Sequence, residues 1–296
     1  MLHIVEAGLR STVQDDPRAA GARLGLPGAG PADPIAFAAA RSLVGERSGA
    51  AIEIVGLPFT FRCDDRRLVA VTGRDVSVRA ASRLPGWLAF VVRGGETATV
   101  IGNARYAYLA VAGGLVLEPV LGSRATYLPA RVGPLPRALE AGDALPLGDA
   151  RGLERAGKQL RPPTYGGAIA AIAGPHLAGF VDGAERAFFG DEFTVAAESD
   201  RMGVRLTGPE LRWPGSDLLT CGVVPGAVQV PRGGSPIVLG PDAQTTGGYP
   251  VIAVVASASR GQVAQALPGE RLRFVPVDPA RAAEDLRALG AEIAAA

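Results

Sequence analysis

A chain of 296 residues, 48% hydrophobic and 20% charged, has enough apolar content for packed cores and roughly the length of two domains. Its 30 basic and 29 acidic residues leave a net charge of +1, which excludes the electrostatic footprint of a nucleic-acid or anionic-membrane binder. Two distant cysteines, Cys63 and Cys221, make no disulfide framework, no apolar run reaches the length of a membrane span, and the N-terminus Met1-Leu2-His3-Ile4-Val5-Glu6 lacks the charged and apolar regions of a signal peptide, so a soluble, cytoplasmic protein in a reducing compartment is expected.

Forty glycines and 24 prolines punctuate short apolar or alternating segments. That pattern reads as mainly β, a sandwich or barrel architecture with few helices. Residues 2–5 open as a strand and lead into a polar stretch containing Gln14 and Asp15, then a long Gly/Pro/Ala loop. Asp33 followed by Pro34 starts a helix over residues 35–44, closed by Gly45. Strands follow quickly at 52–55, 59–62, 68–71, 76–79, 87–92, 97–101 and 106–111. Residues 115–136 are irregular.

A Gly-acid turn entering a strand occurs three times, at Gly95-Glu96, Gly142-Asp143 and Gly269-Glu270. This repetition suggests one structural unit used more than once. Residues 151–163 are charged and rich in proline, and read as a linker between residues 1–150 and 164–296. Beyond it, strands are expected at 169–173, 192–196 and 226–231, and the run 199–206 carries polar residues into a further strand. A second Asp-Pro helix start at Asp278-Pro279 opens a helix over 280–289, stopped by Gly290.

The stretch Gly240-Pro241-Asp242-Ala243-Gln244-Thr245-Thr246-Gly247-Gly248-Tyr249-Pro250 sets a carboxylate, an amide, two hydroxyls and a phenol on a turn between two apolar runs, 236–239 and 251–255. Such a density of donors and acceptors points to a pocket wall rather than to a solvated turn. Gly247-Gly248 gives the backbone freedom to approach a ligand closely. Arg201, Arg205 and Arg10 are of the type that fixes a carboxylate or phosphate by a two-point fork. Gln244, Thr245, Thr246 and Tyr249 are suited to orienting an amide or carbonyl, and Asp15, Asp200 and Asp242 to acid–base or orienting work.

Other chemistry is excluded. Gly152-Leu153-Glu154-Arg155-Ala156-Gly157-Lys158-Gln159 nearly spells a phosphate-binding loop, but Gln159 stands where a hydroxyl should meet magnesium and no apolar strand precedes it. His3 and His176 are the only histidines, and neither cysteine has a metal-ligand neighbour, so no metal site is expected. No nucleophile elbow accompanies His176.

Six blocks resemble, in order, those of a known family. They are Gly8-Leu9-Arg10-Ser11-Thr12-Val13-Gln14-Asp15, Ala110-Val111-Ala112-Gly113-Gly114, Leu121-Gly122-Ser123-Arg124, Ser199-Asp200-Arg201-Met202-Gly203-Val204-Arg205-Leu206, Gly226-Ala227-Val228-Gln229-Val230-Pro231, and Asp242 through Pro250. The family is that of the 5-oxoprolinase C subunits, also called allophanate hydrolase subunit 2 or Kip-antagonist proteins. One half of the urea carboxylase carboxyltransferase domain, a biotin-dependent carboxyltransferase, belongs to it too. The resemblance runs over about residues 8–274. Asp16-Pro17-Arg18 departs from the family's usual Asp-Gly-Arg, and Pro231-Arg232-Gly233-Gly234 from its Pro-Pro-Asp-Gly.

The resemblance implies cyclophilin-like β-barrels in two subdomains, residues 1–150 and residues 164–296, the second ending in a helix. It implies a companion B subunit, itself cyclophilin-like, and an A subunit, the complex opening 5-oxoproline to glutamate with ATP. In that reading ATP is shared with the partner subunits. Arg201 would hold a carboxylate or phosphate, Gln244 and Tyr249 would orient the lactam, and Asp200 or Asp242 would assist proton transfer. Arg205, Gln229, Thr245, Thr246, Gly247, Gly248, Gln14 and Asp15 would complete the binding surface. A second implied function is carboxyl transfer to urea or a related amide, with biotin carried on a separate protein because Lys158, the only lysine, has no Met-Lys context. A third is a non-catalytic regulator that binds a kinase-inhibitor partner.

Overall fold

Short β-branched and aromatic runs between glycine and proline turns make strands the dominant element among residues 1–215 and 218–295, which the computed structural model describes. The chain divides into two units. The first holds Met1–Ala20, Ala29–Pro163 and the last residues from Ala291; the second holds Gly21–Gly28 and Thr164–Gly290.

The first unit contains β1 (Leu2–Glu6), β2 (Thr12–Gln14), β3 (Ala51–Ile54), β4 (Phe59–Cys63), β5 (Arg67–Gly73), β6 (Val76–Arg79), β7 (Arg83–Pro85), β8 (Leu88–Val92), β9 (Thr97–Gly102), β10 (Ala107–Val111) and β11 (Ala144–Leu145). They form a six-stranded antiparallel sheet, β11-β1-β4-β9-β6-β7, and a five-stranded one, β2-β3-β10-β5-β8. One core cluster draws on both sheets, with Leu2, Phe59, Phe61 and Val100 from the first and Ile52, Val69, Val71 and Leu109 from the second. Each such side chain contributes about 1.5–3 kcal/mol when fully buried. Helix α1 (Pro34–Leu43) packs on β5 and β10. That explains why both strands are buried on both faces and read as continuous apolar runs rather than as an alternation. The Asp33 carboxylate caps α1 by accepting from the backbone of Ile35 and Ala36.

The second unit contains β12 (Ala168–Ala173), β13 (Glu192–Val195), β14 (Gly203–Thr207), β15 (Cys221–Gly222), β16 (Ala227–Gln229), β17 (Ile237–Leu239), β18 (Thr246–Gly247), β19 (Val251–Val255) and β20 (Arg271–Pro276). Seven of them close into a barrel in the order β12-β19-β16-β17-β14-β13-β20. All neighbours are antiparallel except β12 and β20, whose parallel pairing closes the ring. Its interior is aromatic at one end, where Phe188 of α2 (Ala184–Gly190) stacks on Phe274 of β20 at 4.7 Å. α3 (Arg260–Gln265) follows β19, and α4 (Pro279–Ala294) follows β20.

The repeated Gly-acid turn is one device used three times. The Glu96 N–H donates to the Arg93 carbonyl while the Glu96 carboxylate accepts from the Arg93 N–H at 3.1 Å. Asp143 does the same to Glu140 at 2.8 Å, and Glu270 to Leu267 at 3.1 Å. In each case the preceding glycine lies at positive φ, +78°, +97° and +87° for Gly95, Gly142 and Gly269. Two copies serve the first unit and one the second.

Within residues 151–163, read as a linker, Gly157 donates to Ala89, Ala89 to Lys158, and Leu160 to Trp87, so the segment pairs along β8. β8 is the last strand of its sheet, and its open backbone groups demand partners. Gly290 does not end the last helix, since α4 continues to Ala294. A glycine costs a helix about 1 kcal/mol, and the alanine-rich sequence on both sides accommodates it.

Candidate functional site

In the second unit the chain from β17 to β19 crosses one end of the barrel as a loop, residues 240–250. It is tied to the turn before β14 at several points. Gly240 donates to the Met202 carbonyl at 2.9 Å and Asp242 to the Arg201 carbonyl at 3.1 Å. A Cβ at Gly240 would collide with the Arg201 carbonyl oxygen, so the close approach needs glycine. Arg201 then closes on Asp242 with both arms of its fork, Nε to Oδ2 at 2.8 Å and Nη2 to Oδ1 at 2.9 Å. The two side chains are 15% and 6% exposed.

The two hydrophilic segments of the latter half therefore meet, but through one another. Arg201, expected to meet a ligand anion, gives that fork to Asp242, and Asp242, expected to assist proton transfer, receives it on both oxygens. The reason is structural: a loop this polar between two core strands has little apolar packing beyond Ala243 and is fixed by ionic groups as well. Asp200 also serves its own turn, its Oδ1 accepting from the backbone of Met202 and Gly203. Arg205 is exposed on β14, where its backbone N–H donates to the Ser199 hydroxyl.

Two of the remaining predicted residues, Gly248 and Tyr249, lie on a cleft. Gly248 and Tyr249 line a space of about 470 Å³ together with Leu218, Pro231, Arg232 and Gly233. Tyr249 is 48% exposed, so its phenol is open to solvent. Thr246 and Gly247 form β18, which pairs with β15 as a two-stranded ribbon. The Thr245 carbonyl accepts from Val223, which anchors the same ribbon. Beneath it lies Gln229, 1% exposed, on β16. Its Oε1 is 3.5 Å from Nε2 of the exposed Gln244, and its own Nε2 has no hydrogen-bond partner among the described residues. A Cβ at Gly247 would stand 2.7 Å from that nitrogen.

Gln14 and Asp15 belong to the first unit. Gln14 is buried and fully engaged: Nε2 donates to Thr12 Oγ1 and the Thr126 carbonyl, and Oε1 accepts from Gly30. Asp15 lines a different cleft, of about 360 Å³, with Asp16, Glu46, Gly113, Gly114 and Arg124 among its walls. Its Oδ2 accepts from the backbone N–H of Arg124 and from Arg124 Nη1. The glycine pair 113–114 and the Gly122-Ser123-Arg124 run, both read as sequence blocks, thus converge on Asp15. Arg124 is not among the site residues expected from the sequence, although its place in such a block marks it. Arg18, the last residue of the Asp16-Pro17-Arg18 run, holds the segments that flank Arg124. It is 1% exposed, donates to the Val120 and Ala125 carbonyls, and burial lowers its pKa from the usual arginine value.

Residues 153–155 of the near phosphate-binding sequence form a 3₁₀ turn rather than the start of an α-helix after a strand. His176 Nδ1 accepts from the Val251 N–H at 3.0 Å, a structural role between β12 and β19. No group of three or more His, Cys, Asp or Glu among the described residues is arranged to hold a metal ion. No described helix is long and apolar enough to cross a membrane.

The sequence matches the family described as carboxyltransferase domain, subdomain A and B, over residues 24–276. It is 36% identical over 282 residues to the C subunit of 5-oxoprolinase from Escherichia coli (strain K12), covering 93% of this chain and 91% of that protein. The 5-oxoprolinase C subunit of Haemophilus influenzae is 33% identical over 295 residues, with 96% and 94% covered. Among solved structures, the Kluyveromyces lactis urea amidolyase superposes with a TM-score of 0.89 at 27% identity, covering 99% of this chain but 20% of that one. The present chain therefore spans about a fifth of that larger protein.

Proposed function

The chain belongs to the family of the carboxyltransferase domain, subdomains A and B, and on that premise we propose that it is the C subunit of an ATP-dependent 5-oxoprolinase, which opens 5-oxoproline with water to glutamate while ATP becomes ADP and phosphate. The observation that carries this reading is the near end-to-end match, at 36% identity, to a protein bearing that name. Fold alone does not fix a reaction, but a match over 93% of one chain and 91% of the other is far more than a shared fold. Relatives of this kind are enzyme subunits, and the chain acts with companions related to the B and A subunits.

In this proposal the lactam docks in the 470 Å³ cleft of the second unit. Tyr249 presents its phenol to the substrate from the rim, and Gln244 contributes a carboxamide at the same end of the barrel. Thr246 and Gly247 supply backbone to the wall. Arg201 and Asp242 keep this wall in place rather than reacting. The chain does not fit ATP in its one phosphate-loop-like sequence, since residues 153–155 form a 3₁₀ turn and open no α-helix. We therefore assign ATP to a partner subunit. The cytoplasm is the compartment in which such a complex would meet its substrates.

A second reading, carboxyl transfer to urea or a related amide from biotin carried on another protein, draws on the superposition with the Kluyveromyces lactis urea carboxylase at a TM-score of 0.88 and 27% identity. Reconstitution separates the two. The chain mixed with its companion subunits, 5-oxoproline and ATP should release glutamate, and Tyr249→Phe should reduce the rate. Complete complexes that release none, but carboxylate urea when given a biotinylated carrier, would overturn the first reading in favour of the second. Inactivity in both assays, with capture of a kinase inhibitor, would instead support the regulatory alternative.

A further inference from the structure

Gln229 is a buried polar group without an evident structural employment. Its neighbours on β16, Ala227 and Val228, are apolar and buried, and an apolar side chain would suit the same place. Buried carboxamides in folded proteins have both ends hydrogen-bonded, and an exception calls for a cause. Here the oxygen end meets Gln244 at 3.5 Å, the outer limit of a hydrogen bond, and the nitrogen end meets no partner among the described residues.

The surroundings say where that nitrogen can find a partner. Pro231 lies two residues beyond Gln229, just past the end of β16. Pro231 lines the cleft, and so does Gly248, the residue after the one that covers Gln229 Nε2. That covering residue is Gly247. Its φ lies outside the left-handed region, so the backbone does not require glycine there. A Cβ there would sit 2.7 Å from Nε2, so any larger residue would displace the end of the Gln229 side chain. The buried donor is thus separated from the cleft by a residue with no side chain.

We propose that Gln229 Nε2 is the donor that recognises the carbonyl oxygen of a small cyclic amide bound in this cleft, and that Gly247 is glycine in order to keep that donor within reach. A lactam presents a carbonyl acceptor and an N–H donor along one edge. A pair of carboxamides, one buried and one exposed, matches that edge: Gln229 gives the hydrogen bond and Gln244 Oε1 receives one. Gln229 is accordingly a binding and specificity residue. The inference rests on the reading that the cleft takes 5-oxoproline.

The test uses the reconstituted complex and measures KM for 5-oxoproline, KM for ATP and kcat together. Gln229→Met keeps length and volume but removes the donor, and Gly247→Ala keeps the donor but displaces it. Each should raise KM for 5-oxoproline about tenfold, the scale of one lost hydrogen bond in a desolvated site, and leave KM for ATP unchanged. In a Gln229→Met background, Gly247→Ala should add little, because both changes act on one contact. Proline, which lacks the carbonyl, should compete equally weakly with wild type and variants. An unchanged KM for 5-oxoproline in Gly247→Ala, or a parallel rise in KM for ATP, would overturn the assignment, and Gly247→Ala decides the matter if Gln229→Met does not fold. A wild-type complex that releases no glutamate would instead refute the function on which the inference stands.

Discussion

Arg201 and Asp242, 41 residues apart in the chain, form a two-point ion pair that fixes the loop between β17 and β19 to the turn before β14. Removing the guanidinium leaves a carboxylate that is 6% exposed without its charge partner. Truncating one member of a buried pair is costly because the survivor stays desolvated. Arg201→Ala should therefore destabilise the protein by on the order of 3 kcal/mol, read from urea denaturation. Arg201→Lys should cost less, since it keeps the charge and loses the fork. The double variant Arg201→Ala with Asp242→Ala should be more stable than Arg201→Ala alone. A wild-type-like denaturation midpoint for Arg201→Ala would show that the pair contributes nothing.

The residues of this pair illustrate what the sequence does and does not carry. That 199–206 and 240–250 are polar interruptions among core strands is visible in composition, whereas their meeting at one place is a tertiary contact that composition does not carry. Which side chain serves the ligand and which serves the loop is not visible, because an arginine fork meets a protein carboxylate and a substrate carboxylate with the same chemistry. The strands were legible as a short alternation at β6 (Val76–Arg79) and as an apolar run at β19 (Val251–Val255). β2 (Thr12–Gln14) was not, because Thr12 and Gln14 are polar yet buried, and only tertiary hydrogen bonds satisfy them. The pairing of residues 157–160 with β8 was hidden for a related reason: a proline-rich, charged composition describes side chains, while that contact is made by backbone.

A second buried network stabilises the first unit. The Tyr108 hydroxyl donates to Glu53 Oε2 and accepts from the Asp33 N–H, both at 2.8 Å, while the Ala32 N–H also donates to Glu53. It thereby links β10, β3 and the capped start of α1. Burial, followed by the nearby charges of Glu53 and Asp33, pushes the phenol well above its usual range. Tyr108→Phe preserves the ring but leaves Glu53 one donor short, so a loss of about 1–3 kcal/mol in urea denaturation is expected. Tyr106→Phe, two residues earlier, provides a control for tyrosine removal outside this network.

Cys63 makes the first unit sensitive to alkali. Burial in the core cluster pushes its thiol from the ordinary 9.0 up to about 11. The folded protein therefore holds this proton more tightly than the unfolded chain does. Its contribution is complete below pH 9, and is lost as pH rises through about 11. Between pH 8 and pH 10 the wild type should lose about 1 kcal/mol that Cys63→Ala does not lose, seen as a steeper fall in denaturation midpoint. The same burial predicts one reactive thiol per native chain: Cys221 is exposed and Cys63 is not. Iodoacetamide at pH 8 should label Cys221 alone until urea is added, and two labels on native protein would contradict the placement of Cys63.

The three Gly-acid turns allow backbone strain to be measured without steric interference. A Cβ built on Gly95, Gly142 or Gly269 meets no atom within 4 Å, so alanine there is opposed only by the positive φ. A left-handed alanine costs about 1–2 kcal/mol, and the three substitutions should lower stability by nearly equal amounts of that size. Gly102 is the contrast. It also has a positive φ, +140°, but a Cβ there would collide with the Asp75 carbonyl oxygen. Gly102→Ala should therefore cost distinctly more than any of the three. Replacing Glu270 by Gln should be milder than Gly269→Ala, since the amide oxygen still accepts from the Leu267 N–H. Denaturation of the four alanine variants side by side settles the ranking. Unequal losses among Gly95→Ala, Gly142→Ala and Gly269→Ala would mean that the three turns are not one device.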